Sequence, residues 1–91
     1  MSDLAVALKD LEDTIHMQRP GLVPHQQPVA VTAVQGLEHL LWMCQTIRVF
    51  VAEGRREKAM RWLGFVQGAL WAKALVSIDH LKAVMRADGD L

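Results

Sequence analysis

The sequence has no tyrosine, two phenylalanines, a single cysteine and no excess of charge of either sign. One cysteine, Cys44, excludes an intramolecular disulfide. Ten basic and ten acidic residues balance, so no overall field attracts nucleic acid or an acidic partner. A secretion leader needs an uninterrupted apolar core, and Asp3, Lys9 and Asp10 interrupt the first residues. We therefore expect a cytosolic protein.

Proline is also scarce, and all three prolines lie within residues 19–29. Proline breaks helices and favours extended backbone in the residue before it. This stretch is expected to be either an ordered strap across a bundle, pinned by Leu22 and Val23, or a flexible arm. A flexible arm would let the first helix reach another subunit in a domain swap.

The sequence is rich in apolar residues, which make up 52% of the total and recur at helical spacing. A chain of 91 residues is long enough for one modest core. We predict one all-α domain over residues 1–91. It is a small helical bundle with a long antiparallel helix pair, a short C-terminal helix and an N-terminal amphipathic helix joined by the proline-rich strap. The predicted segments are a helix over 1–18, the strap over 19–29, and helices over 30–53, 55–75 and 77–88.

The first and last helices are predicted to be short and amphipathic. Leu4, Leu8, Leu11 and Ile15 alternate at spacings of four and three, a narrow seam that suits one partner helix. A helix with so few apolar anchors depends on docking for its stability. Ser77 is the predicted N-cap of the last helix. Its inward-facing side chains are predicted to be Ile78, Leu81 and Met85.

The second helix is apolar around most of its circumference, and Gly54 is expected to end it. It is long enough to cross a membrane, but Glu38 and Arg48 would then lie within the hydrocarbon. We therefore reject a membrane span. Trp42 and Val49 lie in the middle of the polar arc of this helix, where they form a small apolar patch. This patch indicates an interface.

The third helix is predicted to be apolar on two opposite sides. On a helical wheel, Ala59, Leu63, Val66 and Leu70 form an ordinary core stripe. The opposite side should be polar, but small residues spaced four apart run along it between larger apolar side chains. This second apolar side consists of Met60, Gly64, Phe65, Gly68, Trp71 and Ala72.

The two glycines on this second side need an explanation, because each costs about 1 kcal/mol inside a helix relative to alanine. Gly64 and Gly68 would form a shallow groove into which another helix can pack closely. That helix can belong to the same chain or to a second subunit. A cofactor seated between helices is a further alternative.

Four cations cluster at the start of the third helix, where they oppose the helix dipole. They are Arg55, Arg56, Lys58 and Arg61. A solvated turn is the favoured interpretation. The alternative is a contact with phosphate or nucleic acid, which is disfavoured because no recognition motif accompanies the cluster and the net charge is zero.

No motif for catalysis, metal binding or nucleotide binding is found. None of the four histidines shares a helical face with another histidine or a cysteine at ligand spacing. Cys44 lies at the apolar centre of its helix, which favours a buried small side chain over a nucleophile. Gly64 and Gly68 lie inside a helix and not between a strand and a helix, so they are no phosphate loop. We expect no metal, no cofactor and no enzyme.

The runs RWLGFVQGALWA (61–72) and SIDHLK (77–82) resemble the C-terminal half of small uncharacterised proteins encoded by tailed bacteriophages and prophages. In those proteins a basic lead-in precedes a tryptophan, a glycine pair and a second short helix. The resemblance implies an accessory or host-interaction protein made in a bacterial cytoplasm. It does not point to any catalytic activity, because such proteins have no established one. The residues before position 61 take no part in it. The matching positions are Arg61, Trp62, Leu63, Gly64, Gln67, Gly68, Ser77, Ile78, Asp79 and Leu81.

From these features we expect a non-enzymatic helical interaction protein, a phage or prophage accessory factor that self-associates and binds a host protein. Two apolar sides on one helix, together with Trp42 and Val49, offer more apolar surface than one small chain can bury. A homo-oligomer is therefore expected, with a dimer favoured. The alternatives are a weak nucleic-acid-binding protein that uses the basic turn, or a helical protein with a small-ligand pocket beside Gly64 and Gly68.

Overall fold

The computed structural model describes residues 2–30 and 32–87. This part of the chain contains four helices and no strand: α1 (Ser2–Gln18), α2 (Ala33–Ala52), α3 (Arg56–Ala72) and α4 (Ile78–Ala87). The all-α prediction is confirmed. Residues 1, 31 and 88, which the predicted segments include, lie outside the described part. None of the described helices is long and apolar enough to cross a membrane.

The helices α2 and α3 make the most extensive helix–helix contact, and they run antiparallel. Near the start of α2, a Cβ added to Gly36 would lie 3.4 Å from the Nζ atom of Lys73, which follows α3. Near the other end of the pair, Phe50 of α2 meets Trp62 of α3 edge-to-face, with ring centroids 4.8 Å apart. The predicted long antiparallel pair is therefore present.

Local hydrogen bonds set both ends of α2. Thr32 and Gln35 form a capping box, in which each side chain accepts a hydrogen bond from the other residue's backbone N–H at 3.1 Å. Gly54 ends the helix in the left-handed conformation at φ 77°. The predicted stop at Gly54 is confirmed, whereas the capping box was not predicted.

The third helix ends at Ala72, three residues before the predicted end at Leu75. Ala74 adopts a left-handed conformation at φ 61°, which no α-helix can continue through. The backbone N–H groups of Ala74 and Leu75 turn back to the carbonyls of Trp71 and Leu70 at 2.9 and 3.0 Å. This is a Schellman ending built on alanine instead of glycine, so no glycine marks the end of the helix in the sequence.

The first helix docks on the rest of its own chain. Leu4, Leu8, Leu11 and Ile15 are each at most 2% exposed, and Ala7 joins them in the core. The predicted seam is therefore buried. It does not serve a single partner helix, however, because α1 contacts α2, α3 and α4.

The proline-rich segment is an ordered strap across α2. The His25 N–H donates to the Glu38 carbonyl at 3.1 Å, and the Gln27 N–H donates to Nδ1 of His39 at 3.0 Å. Leu22 packs against the core as predicted, but Val23 is 67% exposed and pins nothing. The strap interpretation therefore holds in this structure, and the flexible-arm interpretation does not.

The last helix begins as predicted. The Ser77 hydroxyl accepts a hydrogen bond from the His80 N–H at 3.0 Å, and Leu81 is buried. Ile78 was expected to face inward, but it is 47% exposed, and the side chains of α4 that pack on the core are Leu81, Val84 and Met85. A contact of 3.0 Å between the His80 ring and the Asp10 carboxylate joins α4 to α1.

Candidate functional site

The core-facing side of α3 is packed as the sequence predicted. Ala59, Leu63, Val66 and Leu70 are each at most 1% exposed. They join a core to which α1, α2 and α4 also contribute. The opposite side, which we call the outer face of α3, consists of Met60, Gly64, Phe65, Gly68, Trp71 and Ala72, with Arg61 at its N-terminal end.

The outer face of α3 is apolar and open to solvent. Phe65 is 60% exposed, Trp71 52% and Met60 38%. A Cβ atom added to Gly64 or to Gly68 would meet no other atom of the described residues within 4 Å. The glycines therefore do not accommodate a helix of the same chain, which removes the first of the three explanations for them.

The two predicted interface residues on α2 have different environments. Trp42 is half-buried, and its ring lies 5.8 Å from the Trp62 ring and 5.3 Å from the His39 ring. Val49 is 52% exposed. The two residues therefore do not form the expected open patch, because the Trp42 ring turns towards α3 and packs within the chain.

Aromatic rings of the same chain hold two of the four cations in the basic cluster. The Arg55 guanidinium lies 5.0 Å from the Phe50 ring centroid and pairs with Glu53 at 3.4 Å. The Lys58 ammonium lies 4.8 Å from the same ring centroid and 6.0 Å from that of Trp62. These are distances at which a cation is attracted to an aromatic face.

The remaining two cations, Arg56 and Arg61, are exposed, and neither has an ion pair or a ring contact within the described residues. From the sequence alone, the four cations of the basic cluster could not be distinguished from one another. The structure divides them into a pair that packs on Phe50 and a pair that remains available, of which only Arg61 lies on the outer face.

A shallow hollow of about 270 Å³ lies beside the outer face, between the strap, α2 and α3. Phe65, Ala69 and Lys73 contribute one wall of it, and His39 another. Because Nδ1 of His39 accepts from the Gln27 N–H, a neutral ring carries its proton on Nε2. Neither Gly64 nor Gly68 lines this hollow.

The described residues assemble neither a reactive thiol nor a cluster of metal ligands. Cys44 is fully buried, and burial raises the pKa of its thiol to about 12, so it is protonated and inert at neutral pH. Among residues 2–30 and 32–87, no group of three histidine, cysteine or acidic side chains could hold a metal ion. The outer face of α3 is thus the most distinctive feature of the described surface.

Comparison with known proteins finds no matching family model, no matching curated protein and no matching solved structure. The resemblance of residues 61–72 and 77–82 to small tailed-phage proteins therefore stays a prediction.

Proposed function

We propose that this protein is a non-enzymatic helical interaction protein that binds a second copy of itself through the outer face of α3. The observation that carries the proposal is the combination of three large exposed apolar side chains, Met60, Phe65 and Trp71, with two glycines that face open space. Soluble monomers seldom expose contiguous apolar surface of this kind unless it binds something.

The strength of such an association can be bounded. Fully burying a large apolar side chain contributes about 1.5–3 kcal/mol, and the three side chains of each copy are roughly half exposed, so six of them contribute about 5–9 kcal/mol. Association costs about 4–15 kcal/mol in lost freedom of motion. The dimer is therefore expected to be weak, and close contact at the glycines must add to the apolar burial.

The test is the solution mass by light scattering from low micromolar to millimolar concentration. Wild type should shift from monomer to dimer across this range. Gly68→Leu should remain a monomer with its helicity intact, because leucine favours a helix over glycine and a Cβ added at this position meets no atom of the neighbouring described elements within 4 Å.

Gln45→Leu is the matched control, since it adds the same side chain to an exposed position of α2 away from the outer face. It should dimerise like wild type. A wild-type monomer at every concentration would refute self-association, and a Gly68→Leu dimer as tight as wild type would refute the assignment to α3.

We further propose, from the resemblance to phage and prophage proteins, that the protein acts in a bacterial cytoplasm and binds a host protein. A host protein that uses the outer face would compete with the second copy. Titrating a candidate partner into the dimer should then yield a complex with one copy of this chain. A ternary complex that retains the dimer would show that the host partner binds elsewhere.

Nucleic-acid binding by the basic cluster has less support, because Arg55 and Lys58 already pack on Phe50. Retention on DNA that falls steeply with salt, and that is lost in the double variant Arg56→Gln and Arg61→Gln, would favour this alternative. Retention that does not depend on salt would remove it. Binding of a small ligand in the hollow near Phe65 would appear as a rise in melting temperature with ligand concentration.

A further inference from the structure

We propose that the two copies pack their α3 helices antiparallel, with Gly64 of each copy opposite the partner's Gly68 and Arg61 lying on the ring of the partner's Trp71. This arrangement rests on the proposed self-association and specifies its geometry. It makes the contact two-fold symmetric, so the same surface is used by both copies and the assembly closes at a dimer.

The first support is the spacing of residues along the outer face. Arg61, Gly64, Gly68 and Trp71 are separated by three, four and three residues, which places them in one line along the helix. Gly64 and Gly68 lie two residues on either side of position 66, and Arg61 and Trp71 lie five residues on either side. An antiparallel copy centred on position 66 therefore matches both pairs in both directions.

The second support is the distribution of charge. All four cations of the basic cluster lie at the N-terminal end of α3, within residues 55–61. A parallel pair would bring the two clusters together and align the two helix dipoles, and both effects oppose association. An antiparallel pair places the clusters at opposite ends of a helix of 17 residues, which is about 25 Å long.

The third support is the pair of unpartnered groups that this arrangement joins. Arg61 makes no ion pair or ring contact within the described residues, and Trp71 is 52% exposed with no ring partner there. Arginine on tryptophan is a favourable cation–π pair. The antiparallel register supplies this contact twice, once at each end of the interface.

The glycines decide how closely the helices can approach. No atom of the neighbouring described elements lies within 4 Å of a Cβ added at Gly64 or Gly68, so the space over both is free for the backbone of another helix. Close approach at this centre lets Phe65 and Met60 on the two flanks reach the second copy. A side chain as large as that of leucine at the centre would hold the flanking side chains apart.

The decisive experiment is disulfide trapping with two single variants, Gly64→Cys and Gly68→Cys, in a redox buffer. The natural Cys44 can stay, because it is fully buried, and wild type serves as the control for it. A mixture of the two variants, one carrying a size tag, should form a cross-link between position 64 and position 68. Each variant alone should form far less, because equal positions lie apart in the antiparallel pair.

The outcomes separate the geometry from the proposed function. Efficient cross-linking of each variant with itself, without a link between positions 64 and 68 in the mixture, would mean that the helices are parallel. That result would overturn the antiparallel arrangement and leave self-association standing. No cross-link in any sample, together with a monomeric mass, would overturn both.

A second experiment tests the contact between Arg61 and Trp71 by the dimer dissociation constant. Arg61→Glu should raise the constant at least tenfold, and Arg61→Lys should raise it less. Arg56→Glu makes the same charge change at an exposed position off the line of contact, so it should raise the constant less than threefold. Equal effects of the two glutamate variants would overturn the contact, since only net charge would then matter.

Discussion

Two helices of this protein end with the same hydrogen bonds, but one ends on glycine and the other on alanine. Gly54 follows α2 at φ 77°, and Ala74 follows α3 at φ 61°. After each helix, the N–H groups of two consecutive residues turn back to carbonyls of the last turn. At the scale of single residues, the difference between the two endings is the Cβ atom, which the left-handed conformation disfavours.

We therefore predict opposite effects of two reciprocal substitutions. Ala74→Gly should raise the free energy of unfolding by about 1 kcal/mol, because it removes the strain of a left-handed alanine. Gly54→Ala should lower it by a similar amount, since an added Cβ at Gly54 meets no described atom and acts only through the backbone. Urea titrations of the two variants and wild type measure both changes. A destabilised Ala74→Gly variant would contradict the prediction.

A second prediction at this scale concerns Cys44. Burial raises the pKa of its thiol from 9.0 to about 12, so the folded chain keeps the proton that the unfolded chain releases. The stability that the protonated thiol contributes is present in full below pH 9 and is lost as the pH rises from 9 towards 12.

The measurement is the free energy of unfolding between pH 8 and 11 for wild type and Cys44→Ala. The two proteins differ only in this side chain, so the difference between the two curves reports on the thiol. The difference in free energy of unfolding between wild type and Cys44→Ala should shrink as the pH rises. Parallel curves would show that the thiol ionises equally well in the folded chain.

At the scale of helices, an ion pair joins α1 to α2. Arg48 donates two hydrogen bonds to the Glu12 carboxylate, at 2.6 and 2.8 Å, and this bonding raises the pKa of Arg48. The Glu12 side chain is only 21% exposed, whereas Arg48 is 43% exposed and partly screened by water. The ion pair between Lys9 and Asp13 lies within α1 and is exposed at both ends, at 74% and 56%.

The two ion pairs should therefore contribute unequally. Glu12→Gln should lower the free energy of unfolding by about 1 kcal/mol, because it removes a two-pronged pair between helices. Asp13→Asn is the matched control and should cost about 0.3 kcal/mol. Thermal unfolding at low and high salt measures both, and salt should weaken the Lys9–Asp13 contribution more. Equal costs would indicate that the geometry of the Glu12–Arg48 pair adds nothing.

At the scale of the whole molecule, the core is shared between all four helices. Leu11 of α1 is 1% exposed, and Val6 on the same helix is 45% exposed. Leu11→Ala should lower the free energy of unfolding by about 3 kcal/mol, because it leaves a cavity in the shared core. Val6→Ala should change it by less than about 0.5 kcal/mol.

Tryptophan fluorescence is the appropriate measurement, because Trp42, Trp62 and Trp71 all lie outside α1. If the four helices unfold together, the fluorescence transition of Leu11→Ala should shift as far as its transition by circular dichroism. Two separate transitions would mean that α1 detaches before the rest of the molecule, and the chain would then behave as two units.

Several structural features were predictable from sequence because they depend on neighbouring residues only. Ser77 caps α4 and Gly54 ends α2, as their residue types and positions indicated. The capping box of Thr32 and Gln35 belongs to the same class, and the spacing of threonine and glutamine could have revealed it. The left-handed Ala74 was not predictable in this way, since alanine gives no local signal for that conformation.

The amino-acid sequence by itself determined that the chain is helical, that proline interrupts it once and that α3 is apolar on two sides, because spacing and residue type settle these properties locally. Only the tertiary structure decided whether another helix of the same chain covers the second of those sides, and none does among the described residues. It showed that Trp42 packs within the chain, that Phe50 holds Arg55 and Lys58, and that Gly64 and Gly68 face open space. The physical reason is that burial depends on which elements meet, and residues far apart in the chain decide that together.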